Sequence, residues 1–489
     1  MTAISKQKFT ISAVWKMAES LSTKGVSTII SIILARLLMP EDYGIIALTS
    51  VFINFTNILV QSGLHTSLVR KEKVDNQDYS NAFFLSFIIA AICYIFFFIT
   101  APYIAMFYKQ PIISAVLRVQ MLSLFLCSFG TIRNAIIIKE FRFRELCWIN
   151  VIASIVGGIL GIILAYCGFG VWALVLYTLL RDLLGNFILL YLVKWKPVWK
   201  LSIKRLKGLV SFSIWVLISS VLDFCGNNIY NAIFGKKYSM GELGLYSKGN
   251  QLPEMICLHT YGAITSVLLP TMANVQNNKG QLKMVCRKMV EVSAYIIFPM
   301  MTGLAMVGIR LIPVLFTSKW NSCIPILWFA CIYFGINPLR SINMNLIYAL
   351  GESKKALYIE MARFIMLITG VILGITILNF TIYGIAAISA FVAVCVAIMT
   401  QYYAYRKIEY HYLEWIKDMF PAIFLSGIMA IAVYVVSFIK AEDYIVLCLQ
   451  VFIGVLVYIG TSVITKNKSF VEIKGLIWQI LKKRRMASE

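Results

Sequence analysis

Charge is what this chain has least of. Asp, Glu, Lys and Arg make up 14% of its 489 residues, while 60% are hydrophobic. Soluble domains carry about 25% charged residues, and a soluble chain of this length would divide into two or three domains with long polar surfaces. No such stretch occurs here, which excludes a soluble enzyme and a nucleic-acid-binding domain. Histidine is scarce, and His65, His259 and His411 are too dispersed to cluster. The eleven cysteines are scattered singly with no CxxC pair, and most lie in apolar runs, where Cys acts as a small hydrophobe. That excludes a secreted disulfide scaffold and points away from a metal or redox site. No cleavable leader is expected, because the first apolar segment is long and carries Lys16, Glu19 and Lys24.

Long apolar runs are abundant. Fourteen membrane spans are predicted, at 11–36, 43–64, 80–104, 112–138, 145–167, 170–193, 208–234, 242–275, 286–308, 324–350, 356–378, 382–405, 417–439 and 443–465. The connections are short and leave no extramembrane domain. With a cytoplasmic N-terminus, the inner connections and tail hold 30 of the 45 basic residues and the outer ones only 7. This positive-inside bias accounts for the net charge of +23 without nucleic acid. After Leu476, Ile477, Ile480 and Leu481, the tail carries Lys-Lys-Arg-Arg at 482–485. It reads equally as a helix lying on the anionic inner leaflet or as a solvated tail.

The chain also repeats itself. A shift of 200 residues places Trp15 on Trp215, Ser20 on Ser220, Ile29 on Ile229, Ile33 on Ile233 and Gly44 on Gly244. Two copies separated by an even number of spans are parallel repeats about an axis along the membrane normal. The expected fold is therefore an all-α polytopic membrane protein with two six-helix lobes, 1–205 and 206–408, enclosing a central cavity. Residues 409–489 add two helices and a basic cytoplasmic tail.

Polar residues in the spans nominate the site. At about 100° per residue, Ser12, Lys16, Glu19, Ser20, Thr23, Lys24, Ser27 and Ser31 share an arc of about 140° on the first span. The seventh repeats the stripe with Ser219, Ser220, Asp223, Asn227 and Asn231. A hydrated cavity lined by both stripes competes with polar glue between packed helices. Lys24, Arg133, Arg181, Lys248 and Arg340 lie too deep for snorkelling to explain easily. Facing a cavity, they would suit an anionic group such as a phosphate. Glu360 with Arg363 reads as a structural pair. Pro253, Pro299 and Pro338 are predicted to kink their helices, and Gly157, Gly158 and Gly161 to admit close helix approach.

Several of these residues fall into longer motifs. Ala-Arg-Leu-Leu-Met-Pro-Glu-Asp-Tyr-Gly at 35–44, Gln-Ser-Gly-Leu at 61–64, Gly-Glu-Leu-Gly-Leu-Tyr-Ser-Lys-Gly-Asn-Gln at 241–251 and Leu-Pro-Thr-Met at 269–272 resemble the polysaccharide transporter family. This family, with its Wzx-type lipid-linked oligosaccharide flippases, belongs to the multidrug/oligosaccharidyl-lipid/polysaccharide exporter superfamily. The resemblance runs the length of the chain. It implies movement of undecaprenyl-pyrophosphate-linked repeat units from the inner to the outer leaflet of a bacterial cytoplasmic membrane. It also implies two lobes alternating around the cavity, without catalysis or a bound cofactor. Lys24, Arg133, Arg181, Lys248 and Arg340, with Ser27, Asn227 and Asn231, would then line the substrate cavity. Glu19 and Asp223 would be the carboxylates for H+ or Na+ coupling. A polysaccharide polymerase and assembly proteins are the partners implied, besides membrane lipids. The rival is a cation-coupled drug or small-molecule antiporter of the same superfamily, which would want an acidic cavity. A membrane enzyme would need a sizeable loop or domain for its site, and a passive scaffold would have no need of buried charge.

Overall fold

The computed structural model describes residues 6–61, 75–140, 142–198, 217, 221, 224, 233–472 and 474–475. The described residues form helices and connections, with no strand among them. In order, the helices are α1 (Lys6–Leu37), α2 (Pro40–Gln61), α3 (Asn76–Phe107), α4 (Ile112–Gln120), α5 (Ser123–Lys139), α6 (Phe143–Tyr166) and α7 (Val171–Leu192). They continue with α8 (Met240–Asn274), α9 (Lys279–Phe316), a 3-10 turn at Ser318–Cys323, α10 (Ile324–Ala349) and α11 (Ser353–Thr376). The last three are α12 (Ile382–Ile408), α13 (Tyr412–Val436) and α14 (Asp443–Ile464).

Twelve stretches among the described residues are long and apolar enough to cross a membrane. They match all the predicted spans except the seventh and eighth. The seventh, 208–234, lies almost entirely outside the described residues, as does the basic tail from 476. The eighth forms the single helix α8, whose sequence includes Glu242, Lys248 and Glu254. The fourth span is two helices in tandem. At Met121–Leu122 the bonding tightens, with Leu122 N donating to the Val119 carbonyl at 3.2 Å. Helices α8, α9 and α10 run on through Pro253, Pro299 and Pro338, because each proline removes one donor from ladders otherwise intact.

The exterior departs from that of a soluble protein, and polar side chains are covered among the hydrophobic core. Thr49, Asp78, Ser80, Asn81 and Ser86 are covered, while Ile92, Met106, Phe452 and Ile464 stand exposed. Such an apolar exterior is at home only in lipid, so the chain is a multi-pass membrane protein.

The chain packs into two compact units, residues 1–244 and 245–489. In the first, α1 lies on α6, α6 on α7, and α3 on α4 and α5. The glycines predicted to allow close approach do so. A Cβ on Gly158 would sit 2.2 Å from Ile30 Cδ1 of α1, and one on Gly161 would sit 2.8 Å from Tyr177 Cβ of α7. The repeat surfaces here as a reciprocal contact. A Cβ on Gly44 would lie 1.8 Å from the Met240 carbonyl oxygen, and one on Gly244 would lie 1.9 Å from that of Pro40. This contact holds residues 240–244 in the first unit, so the boundary follows Gly244 rather than residue 205.

In the second unit α9 is central, packing on α10, α13 and α14, while α12 packs on α10 and α11. One core runs from Leu282, Cys286 and Val290 through Leu346 and Ala404 to Tyr410, Trp415, Leu425 and Tyr458. Residues 409–472 thus share the core of 245–408 instead of forming a separate body.

Candidate functional site

The polar arc of α1 divides in two. Its more covered edge is packing. Glu19 is 8% exposed; it accepts from Lys16 Nζ at 2.7 Å and from Asn150 Nδ2 of α6 at 2.8 Å. Ile30 and Leu34 continue that covered edge toward α6 and α7. Lys24 stands on the other edge, exposed, with Ser27 partly covered beside it. Opposite the arc, Ile29 is 60% exposed, as a lipid-facing side chain would be.

Arg181 and Asp182 sit midway along α7. The Arg181 Nε and Nη2 donate to Asp182 Oδ1 at 3.1 and 2.9 Å, and both side chains are about one-third exposed, at 37% and 36%. Close helix approach at Gly157 places them, since a Cβ there would lie 3.1 Å from Arg181 N. Thr178, Arg181, Asp182 and Asn186 recur at three- and four-residue spacing, which makes one polar face. Asn186 returns its Nδ2 to the Asp182 carbonyl at 2.8 Å. Gly130 of α5 admits it, because a Cβ there would lie 2.5 Å from Asn186 Oδ1. A half-open ion pair on an apolar helix keeps partial access to water and can exchange its partner for another anion.

The remaining predicted basic residues are covered within their own units. Arg133 is 6% exposed. It donates from Nη1 to the Phe129 carbonyl at 3.0 Å and lies 5.7 Å from the Trp195 ring centre. Lys248 is 2% exposed, with Nζ 4.4 Å from the Phe316 ring centre and 5.8 Å from that of Trp320. Aromatic faces offset part of the cost of taking such cations from water. Arg340 donates from Nη1 to Glu360 Oε1 and from Nε to Asn337 Oδ1 at 3.1 Å. Arg363 Nε takes the other Glu360 oxygen at 2.7 Å, so the predicted Glu360–Arg363 pair gains a second arginine. Asp223, Asn227 and Asn231 lie outside the described residues.

Asp182 and Asn186 complete the α7 face; Asp182 stands out in the sequence as a charge within the sixth span beside Arg181, and Asn186 is signalled only by its spacing from them. Asp418 is a further buried charge that hydropathy hid at the start of a span. It takes Arg287 Nε and Nη2 at 2.9 and 2.7 Å and the Tyr410 hydroxyl at 2.7 Å. Among the described residues, no group of three or more His, Cys, Asp or Glu side chains is placed to hold a metal ion.

Known proteins share this sequence and fold. The family model described as "Polysaccharide biosynthesis protein" matches residues 33–325, more than half of the chain. An uncharacterized membrane protein in the cps region of Klebsiella pneumoniae is 23% identical over 98% of this chain and 99% of its own. The succinoglycan biosynthesis transport protein ExoT of Rhizobium meliloti is 23% identical over 66% of this chain and 65% of its own. The lipopolysaccharide biosynthesis protein WzxC of Escherichia coli is 20% identical over 69% of this chain and 68% of its own. Among solved structures, the lipid II flippase MurJ in an inward closed conformation aligns with a TM-score of 0.73 at 16% identity, over 93% of this chain and 99% of that one. An inward-facing multidrug resistance MATE family transporter of the MOP superfamily aligns with 0.63 at 16% identity, over 78% and 94%. The chain belongs to the polysaccharide biosynthesis protein family matched over residues 33–325, on the fold that MurJ and the MATE transporters share.

Proposed function

We propose that this protein is a flippase that moves a lipid-linked oligosaccharide from the inner to the outer leaflet of a bacterial cytoplasmic membrane by alternating access. The cargo is an undecaprenyl-pyrophosphate-linked repeat unit for O-antigen, capsule or exopolysaccharide. The family match over residues 33–325 carries this reading. The physics supports it. A pyrophosphate and its sugars would lose their water in hydrocarbon, at several kcal/mol for each unsatisfied group (roughly, for amides and hydroxyls). A wet polar passage removes that barrier without altering the cargo, so no catalytic group is called for. The termini are cytoplasmic in the orientation that the loop charges favour, and a polymerase would take the product outside.

Within the first unit, Lys24 and the Arg181–Asp182 pair are the charges open enough to meet an anionic headgroup. Glu19 is the described carboxylate we assign to ion coupling; protonating it would release Lys16 and Asn150. The antiporter alternative draws on the MATE fold alone, and the open cations Lys24 and Arg181 fit an anion better than a cation.

The test is export of surface polysaccharide in cells lacking the native gene. Lys24→Gln with Arg181→Gln should lower export roughly tenfold or more, as loss of charge-assisted contacts implies. Protein levels in the membrane should be unchanged, with unflipped lipid-linked sugar accumulating on the inner leaflet. Normal export by the double variant would remove these residues from the site. Drug efflux without any sugar phenotype in the deletion strain would favour the antiporter.

A further inference from the structure

A cavity of about 430 Å³ lies in the second unit where α9 and α13 begin and α14 has just ended. All three ends fall on one membrane face, the inner one in the orientation favoured by the loop charges. Its acidic component is already engaged. Asp418 is saturated by Arg287 and Tyr410. Around that pair stand Lys417, Lys466 and Lys468, with Glu291 as the one further acid of the lining. Three lysines against one glutamate leave a surplus of positive charge. All three lysines are exposed, and among the described residues the side chains of Lys417 and Lys466 make no hydrogen bond or ion pair.

One wall is apolar. Phe424 lines the cavity and is 53% exposed. It stacks on Phe420 at 6.1 Å with an interplanar angle of 20°. Beyond it Ile431 and Tyr434 carry an outward apolar face along α13. A free phosphate needs only the lysines. A cluster of cations at headgroup level, continuous with a lipid-facing wall, fits a phosphate that carries acyl chains.

We propose that this cleft binds the headgroup of an anionic glycerophospholipid, with its phosphate among Lys417, Lys466 and Lys468 and an acyl chain along Phe424. The site is built from residues of the second unit, whereas Lys24 and Arg181 belong to the first, and the proposal does not depend on the identity of the cargo.

Native mass spectrometry of the purified full-length chain tests it, with phosphatidylglycerol, phosphatidylcholine or inorganic phosphate added. The wild type should retain phosphatidylglycerol at a concentration about tenfold below that needed for phosphatidylcholine. Lys417→Gln/Lys466→Gln/Lys468→Gln should abolish the preference. Lys194→Gln/Lys196→Gln/Lys354→Gln, which removes as many charges from the same face, should keep it. Equal loss in both triple variants, or survival in the first, would overturn the proposal, as would displacement of the lipid by millimolar inorganic phosphate. A photoreactive phosphatidylglycerol on the unmodified protein gives an independent reading. It should label peptides containing 417–425 or 465–469, and labelling confined to other helices would also overturn the assignment.

Discussion

Lys248 shows how burial separates two roles that look alike in a sequence. Its position in an apolar span suits a cavity cation, yet Phe316 and Trp320 close over it. Trp320 belongs to the 3-10 turn, so only the fold brings that ring to Lys248. Replacing a buried cation by an apolar chain of similar length is often tolerated, whereas deleting its volume is not. Lys248→Met should therefore unfold within about 1.5 kcal/mol of the wild type, and Lys248→Ala should lose about 2–5 kcal/mol, read by thermal unfolding in detergent. Glu352, in the connection after α10, is held down to about 2 by Lys355 first, then by Lys407 and Tyr403. A depressed carboxyl contributes stability above its unfolded value, and that contribution fades as pH falls from 4.5 toward about 2. Protection factors of amides 351–355 against hydrogen exchange should fall over that window, and Glu352→Gln should remove the pH dependence. Lys355, three residues away, was legible as a partner; Lys407, from another helix, was not.

Most helices were legible to within about five residues because twenty apolar residues in a row leave few alternatives, but α9 (Lys279–Phe316) outruns the predicted 286–308 at both ends and the predicted fourth span is two helices. Their faces were harder. The arc on α1 contains both Glu19, turned to Asn150, and the open Lys24. Periodicity groups residues by angle but does not say which neighbour an angle meets. Glycines carry more of that information, since a missing side chain marks a contact. Gly158→Val should push Ile30 and separate α1 from α6, costing about 1–3 kcal/mol and lowering the melting temperature more than the same change at open Gly427, where nothing lies within 4 Å of an added Cβ. Asp418 pins α13 to α9 through Arg287. Its side chain is 3% exposed, while Arg287 is 38% exposed and keeps Glu414 at 3.6 Å, so Asp418→Ala should cost about 1–3 kcal/mol, and Arg287→Met in that background should recover part of the loss.

At the scale of the whole molecule, charge distribution was the most informative sequence feature. Thirty basic residues against seven predict a side for every connection. In a background without native cysteines, a cysteine at Lys109 or Lys440 should react with an impermeant thiol reagent in intact cells, and one at Lys194 or Lys354 should react only after lysis. The division into units was less legible. Composition marked two halves and a remainder, whereas the core continues from α9 into α13 and α14, and no local pattern announces a shared core.

The two glycines at 44 and 244 face each other's strand of backbone so closely that neither can grow. A methyl group on Gly44 would strike the Met240 carbonyl and one on Gly244 the Pro40 carbonyl, each four residues before the opposite glycine, so the two intrusions are equivalent. The two replacements should do similar harm, and making both should offer no relief. Two positions 200 residues apart in the chain therefore share one steric limit, set by backbone that no side-chain rearrangement can move aside.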